Sequence, residues 1–269
     1  MTITSPQHFL QLPQRTSKPR ASGITIMLDN GLPTRAFADL VESASDHVDI
    51  VKFGWGTSIV TRHLTEKIRV LKLLGIEFFF GGTLFEKSLV QGKLPQYLDF
   101  CRARDCRIVE VSNGTIDLED ARKSDYVAEV SRDFKVISEV GSKVTEIADN
   151  MSPSEWVRSI SDDIDAGAYL VTLETRESGR GGICHSNGEL RYDVFEEILK
   201  CGIDPRMLVF EAPSTDLQSR FVKRIGPNVN LANISSTDVI GLETVRLGLR
   251  SETLLEFETE VEVEARMSA

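Results

Sequence analysis

One phrase repeats along this chain: a short apolar, β-branched run, a turn carrying Gly or Asn, then a longer stretch of helical period. It occurs eight times in 269 residues, and nothing else in the sequence restricts the fold so strongly. The strand runs are GITIMLDNG (23–31), HVDIVKFG (47–54), IEFFFGGTL (76–84), CRIVEVSNG (106–114), KVISEVGSK (135–143), AYLVTLETRE (168–177), MLVFEAP (207–213) and NVNLANIS (228–235). Between them lie amphipathic stretches such as SIVTRHLTEKIRVLKLLG, DLEDARKSDYVAEVSRD and SPSEWVRSISDDIDAG. Asp117 and Ser152 read as N-caps, and Gly75, Gly167 and Gly202 fall where helices should stop. Eight alternating units in about 230 residues match an α/β fold, a single (β/α)8 TIM-type barrel, whose usual size is about 250 residues. An open doubly wound sheet is the alternative, but no GxGxxG follows the first strand. Residues 1–22 read as an N-terminal arm closing the barrel's lower end, 23–251 as the catalytic barrel, and 252–269 as an acidic, frayed C-terminal tail.

Composition removes several classes of function. The chain is 41% hydrophobic and 27% charged, which is globular rather than disordered. Its 41 acidic residues against 31 basic ones give a formal charge of −10, a poor basis for binding nucleic acid. No apolar run reaches the ~18 residues needed to cross a bilayer, and the first residues lack the apolar core of a signal peptide, so a cytoplasmic protein with no membrane partner is expected. Cys101, Cys106, Cys184 and Cys201 form no CxxC pair and are expected to be reduced thiols. His8, His47, His63 and His185 form neither HExxH nor HxH, so any metal should sit on oxygen ligands.

The charges fall where a barrel does its chemistry. Asp29, Lys52, Glu110, Glu139, Glu174 with Arg176, and Glu211 stand in or at the end of six different strand runs, with mostly apolar neighbours of opposite parity. Charges so placed must face a polar lumen or be buried unpaired, and the second is prohibitive. Five carboxylates against Lys52 and Arg176 leave an excess of negative charge that Mg²⁺ would balance. The plainer reading is that some of these carboxylates only hold the lysine and arginine in place. The glycine loops at residues 54–58, 81–83 and 179–182, with Asn228, Asn230 and Asn233 around the last strand, suggest a phosphorylated small substrate. Ser235 to Asp238 open the last helix, whose dipole favours an anion, although capping accounts for them equally well. His185 and Cys184 read as ordinary loop residues, and Phe78 to Phe80 as strand core.

The segments DIVKFGWGTS, FFGGTLFE, EVSNGTI, ISEVGSK, LETRESG, VFEAP and GPNVNLANI, in this order, resemble the phosphosulfolactate synthase family, which begins coenzyme M biosynthesis. The resemblance runs from about residue 9 to about residue 251. It implies a Mg²⁺-dependent (β/α)8 carbon–sulfur lyase that adds sulfite to phosphoenolpyruvate, giving (2R)-phospho-3-sulfolactate. By resemblance Lys143 would protonate C2 of the intermediate, although the family commonly reads EVGKK where this chain has Ser142 before Lys143. The family phrase EARESG appears here as Glu174-Thr175-Arg176-Glu177-Ser178-Gly179. In this scheme Asp29, Glu110 or Glu211 would hold Mg²⁺, and Lys52 or Arg176 would help stabilise the developing charge. Glu139 or Glu174 would hold the Lys143 ammonium. Gly81, Gly82, Ser178, Gly179, Asn228, Asn230 and Asn233, with Arg176, would bind substrate.

Two competing readings remain at this stage. One is a lysine-dependent aldolase or isomerase of a phosphorylated metabolite, with Lys52 or Lys143 forming a Schiff base. The other is a non-catalytic, stress-related barrel protein of the same family. Barrels of this size commonly associate through their helices, so a homo-oligomer is an open expectation.

Overall fold

The computed structural model describes residues 9–141, 151–176, 178–179 and 181–258. Eight parallel strands form a nearly closed barrel alternating with helices, a single (β/α)8 barrel. The strands are β1 (Thr25–Asp29), β2 (Ile50–Phe53), β3 (Glu77–Phe80), β4 (Ile108–Val111), β5 (Lys135–Val140), β6 (Leu170–Leu173), β7 (Leu208–Glu211) and β8 (Leu231–Ser235). Each lies inside one of the eight apolar runs. Hydrogen bonding runs β3-β2-β1-β8-β7-β6-β5-β4. The Cys106 thiol donates to the Phe78 carbonyl at 3.3 Å, spanning the seam between β3 and β4.

The described helices are α1 (Thr34–Ser43), α2 (Thr57–Val60), α3 (Leu64–Leu73), α4 (Gly82–Val90), α5 (Leu94–Arg102), α6 (Asp120–Val130), α7 (Pro153–Asp165), α8 (Tyr192–Lys200), α9 (Thr215–Ile225) and α10 (Val239–Arg246). Their apolar stripes cover the outer faces of the strands. Phe37 of α1 stacks on Phe53 of β2, and Phe195 and Phe221 of α8 and α9 pack on Phe210 of β7. Full burial of each such ring stabilises the fold by about 2 kcal/mol.

Local signals explain several helix ends. Ser152 caps α7 in a capping box with Glu155, and Pro153 takes the first helical position, where its missing N–H costs nothing. Gly75, Gly167 and Gly202 follow α3, α7 and α8 with positive φ, as helix-terminating glycines do. Asp117 is not an N-cap. Asn113 Nδ2 donates to the Leu118 carbonyl at 2.8 Å and to Asp120 Oδ1 at 2.9 Å, which folds residues 113–118 into a loop and delays α6 until Asp120.

The described part of the N-terminal arm lies against the lower end of the barrel. Arg15 donates to the Pro227 and Gly23 carbonyls and pairs with Glu243 of α10 at 2.8 Å. In the described start of the C-terminal segment, Thr253 is buried and its hydroxyl donates to the Val245 carbonyl at 2.8 Å, while Leu254 and Leu255 are exposed. The remainder of the acidic tail lies outside the described residues. Among the described residues no helix is long and apolar enough to cross a membrane.

Candidate active site

Strand register decides which charges reach the lumen. Leu28, Lys52 and Phe79 are level across β1, β2 and β3, and Glu139 is level with Thr172. Glu211 is level with Ala232. The opposite parity faces the helices: Asp29 is level with Phe53, whose ring meets α1, and Val111 with Ser138, whose hydroxyl bonds Asp163 of α7. In a parallel barrel, level residues share a face, so Lys52, Glu110, Glu139 and Glu211 all point inward. They stand at the C-terminal ends of their strands, the catalytic face of this fold.

The inward charges meet at one atom. Lys52 Nζ lies 2.9 Å from Glu110, 3.4 Å from Glu139 and 3.4 Å from Glu211, all of them buried. Burial opposes the lysine's charge, but Glu110, Glu211 and Glu139 together outweigh it and hold the ammonium well above its ordinary pKa. Burial also raises both Glu110 and Glu211, with Lys52 pulling the other way. Glu211 is pushed up to about 7. Backbone donors fix the carboxylates: Gly82 N–H bonds Glu110 Oε2, and Thr175 N–H bonds Glu211 Oε2 at 2.8 Å.

Around this cluster opens a cavity of about 320 Å³, lined among others by Trp55, Gly81, Gly82, Glu174, Arg176 and Asn233. Gly82 is there because nothing larger fits: a Cβ would stand 2.3 Å from Ser112 Oγ and 3.1 Å from Glu110 Oε2. β8 carries one extra residue relative to β1. Thr25 pairs with Leu231, but Met27 pairs with Ile234, and Asn233 takes φ 56° in the resulting bulge. Bulges re-aim side chains, and this one brings Asn233 into the cavity wall. Trp55, a residue type that rarely adopts positive φ, does so at 49° on the rim.

The other residues selected from sequence fall elsewhere. Asp29 does not face the lumen, because at its level β1 turns Leu28 inward. Its carboxylate pairs with buried Lys67 of α3 at 2.5 Å and accepts the Gly31 and Leu32 N–H groups, so it is corrected from metal ligand to structural anchor. Asn228 and Asn230 precede β8 and lie at the opposite end of the barrel from the cavity. Asn228 bonds Arg15 and Thr16 of the arm, and Asn230 bonds the Ile24 N–H and the Arg206 and Leu208 carbonyls. Both serve the closed lower end rather than a phosphate. Ser178 is exposed, and neither it nor Gly179 lines the cavity. Lys143 lies outside the described residues. Cys184 is buried and His185 exposed.

Sequence reasoning misses Leu28, Thr115 and Thr175 in the cavity wall, and Glu86 behind it. Thr115 lines the cavity from the loop after β4, where nothing distinguishes it from other loop threonines. Glu86 is buried on α4 against Ser112 and Thr115. Its signal is present in principle, since it is a charge on the same helical stripe as Gly82 and Phe85.

For a metal, the donor chemistry fits and the enclosure does not. Among the described residues no three His, Cys, Asp or Glu side chains form a closed metal site, and Lys52 fills the centre of the carboxylate ring. Mg²⁺, however, is commonly held by one or two carboxylates together with waters and substrate phosphate. Glu110 and Glu211 retain further lone pairs that suit that mode.

The fold and the cavity define a barrel enzyme that carries a charged lysine among carboxylates at its C-terminal mouth. The profile described as ComA, (2R)-phospho-3-sulfolactate synthase, matches residues 13–252. The chain is 50% identical over 244 residues to phosphosulfolactate synthase of Bacillus subtilis, covering 91% of this chain and 97% of that one. It is 39% identical to phosphosulfolactate synthase of Methanothermobacter thermautotrophicus, covering 90% and 95% respectively. Among solved structures, the YdjI aldolase of Escherichia coli superposes with a TM-score of 0.55 at 12% identity, over 81% of this chain and 76% of that one, a likeness of fold alone. The chain therefore belongs to the phosphosulfolactate synthase family.

Proposed function

We propose that the chain is a carbon–sulfur lyase that adds sulfite to phosphoenolpyruvate, with Mg²⁺, to give (2R)-phospho-3-sulfolactate. The observation that carries this reading is the Lys52 ammonium, kept charged by three carboxylates at the base of the cavity, in a member of this family. In the reaction the sulfite sulfur bonds to C3, the C2–C3 π electrons move toward the carboxylate, and a proton is added at C2. The barrier falls where fixed positive charge meets the enediolate-like charge that develops. Lys52 supplies such charge from the cavity base, and Arg176 attracts the anions at the mouth. Lys143, as general acid, delivers the proton to C2. Glu110 and Glu211 would hold Mg²⁺, which would supply Lewis-acid charge to an anionic substrate. Glu139 and Glu174 orient the cationic groups. The setting is the cytoplasm and the partners are small anions, with neither nucleic acid nor membrane; association of barrels into a homo-oligomer is compatible with this chemistry.

A Schiff-base aldolase fits less well. An amine nucleophile needs a lowered pKa, whereas Lys52 is held protonated. The deciding experiment incubates the purified chain with phosphoenolpyruvate, sulfite and MgCl2 and identifies the product by mass spectrometry. Sulfite-dependent, EDTA-sensitive formation of phosphosulfolactate, lost in Lys143→Ala, is expected. Borohydride trapping of a lysine adduct with a carbonyl substrate would instead support the aldolase, and a chain that turns nothing over would support the non-catalytic reading.

A further inference from the structure

Glu86 is a buried carboxylate, 2% exposed, one helical turn from Gly82 on α4, and the chemistry above does not use it. A carboxylate this deep persists only where donors meet it. Its donors are the Ser112 hydroxyl at 2.6 Å and the Thr115 N–H at 3.1 Å. Both belong to the loop that leaves β4 just beyond Glu110, and Thr115 lines the cavity. The outer edge of the same loop is tied by Asn113 to Leu118 and Asp120. Glu86 is thus the inner tie of a loop whose outer tie is its own asparagine.

We infer that Glu86 is a positioning residue that fixes residues 112–115 as one wall of the substrate cavity, so that it governs substrate binding through Thr115. The inference deepens the proposed function and rests on it for the identity of the substrate. The chemistry of the tie predicts its own rescue. A carboxylate offers acceptors only, and two donors meet it. Glutamine keeps both bonds, because its oxygen accepts from Thr115 N–H while its amide donates to the Ser112 hydroxyl, which can accept. Alanine keeps neither.

The test compares the full-length wild type with Glu86→Ala, Glu86→Gln and Thr115→Pro, the last removing the N–H while leaving Glu86 in place. Without ligand, amide exchange at Thr115 should be about tenfold or more faster in Glu86→Ala and close to wild type in Glu86→Gln. With sulfite and Mg²⁺ present, KM for phosphoenolpyruvate should rise about tenfold in Glu86→Ala and Thr115→Pro, with kcat within about threefold, and Glu86→Gln should restore it. Unchanged exchange at Thr115, a fall in kcat at constant KM, or a glutamine variant as impaired as alanine would overturn the inference. If Glu86→Ala fails to fold, Thr115→Pro decides, and a wild-type KM there refutes it. If the wild type turns over no phosphoenolpyruvate, the exchange measurement still decides whether the tie exists, and the failure counts against the proposed function alone.

Discussion

Replacing Glu211 by glutamine should flatten the pH dependence of stability. In the folded chain burial holds this carboxyl at about 7, against about 4.3 in an unfolded chain. The folded state therefore binds the proton more tightly. That contribution to stability is complete below about pH 4 and is lost as pH rises through about 7. At 1.36 kcal/mol per pH unit, the whole effect is about 3–4 kcal/mol, of which about 2–3 kcal/mol falls between pH 5 and pH 8. Glutamine has no proton to lose, and its oxygen still accepts from either Thr175 N–H or Lys52. Glu139 and Glu110 also help to hold Glu211 up, so the variant removes their repulsion with it. Urea unfolding followed by circular dichroism at pH 5.0, 6.5 and 8.0, with the slope against urea held common, measures the difference. The wild type should lose about 2–3 kcal/mol more than the variant across this range. Parallel profiles for the two proteins would show that Glu211 does not titrate as its surroundings require, and the account of the carboxylate ring would fail with it.

Three further outcomes are expected. Gly82→Ala places a methyl 2.3 Å from Ser112 Oγ and beside Glu110; turnover should fall about a hundredfold, whereas Gly56→Ala, whose Cβ meets nothing within 4 Å, should stay near wild type. Arg176→Ala should raise KM for phosphoenolpyruvate about tenfold with little change in kcat, and steady-state kinetics that leave KM unmoved would take Arg176 out of the mouth. Lys67→Met leaves Asp29 buried without its cation and should cost about 3–5 kcal/mol by urea unfolding, most of it recovered in the Lys67→Met, Asp29→Asn double variant.

The barrel was readable because eight apolar runs recur between helical stretches, and every strand begins and ends within its run. The inward charges were readable for the same reason. Lys52, Glu110, Glu139 and Glu211 interrupt strands whose other positions are mostly apolar, and a polar lumen is what tolerates that. Asp29 shows where this reasoning stops. It also ends a strand, but register places it one step out of phase, and its partner Lys67 is a helix residue 38 positions away that no local pattern connects to it. Asn228 and Asn230 failed for a related reason. Three asparagines in six residues read as one cluster, whereas β8 begins at Leu231 and separates the two that serve the barrel floor from Asn233. Glu86 was overlooked because a glutamate on a helix is ordinarily solvated, and its place on the stripe of Gly82 and Phe85 is a faint signal beside that expectation.

The bulge in β8 separates what the scaffold requires from what the cavity requires. Without residue 233, Leu231 and Ala232 would run straight on into Ile234 and Ser235, and the alternation of inward and outward side chains against β1 would be unbroken. Its excision would therefore be expected to leave a closed barrel with a blank panel where an amide now stands. The ladder between β1 and β8 does not call for this position, and what the extra residue contributes is the Asn233 side chain in the cavity wall.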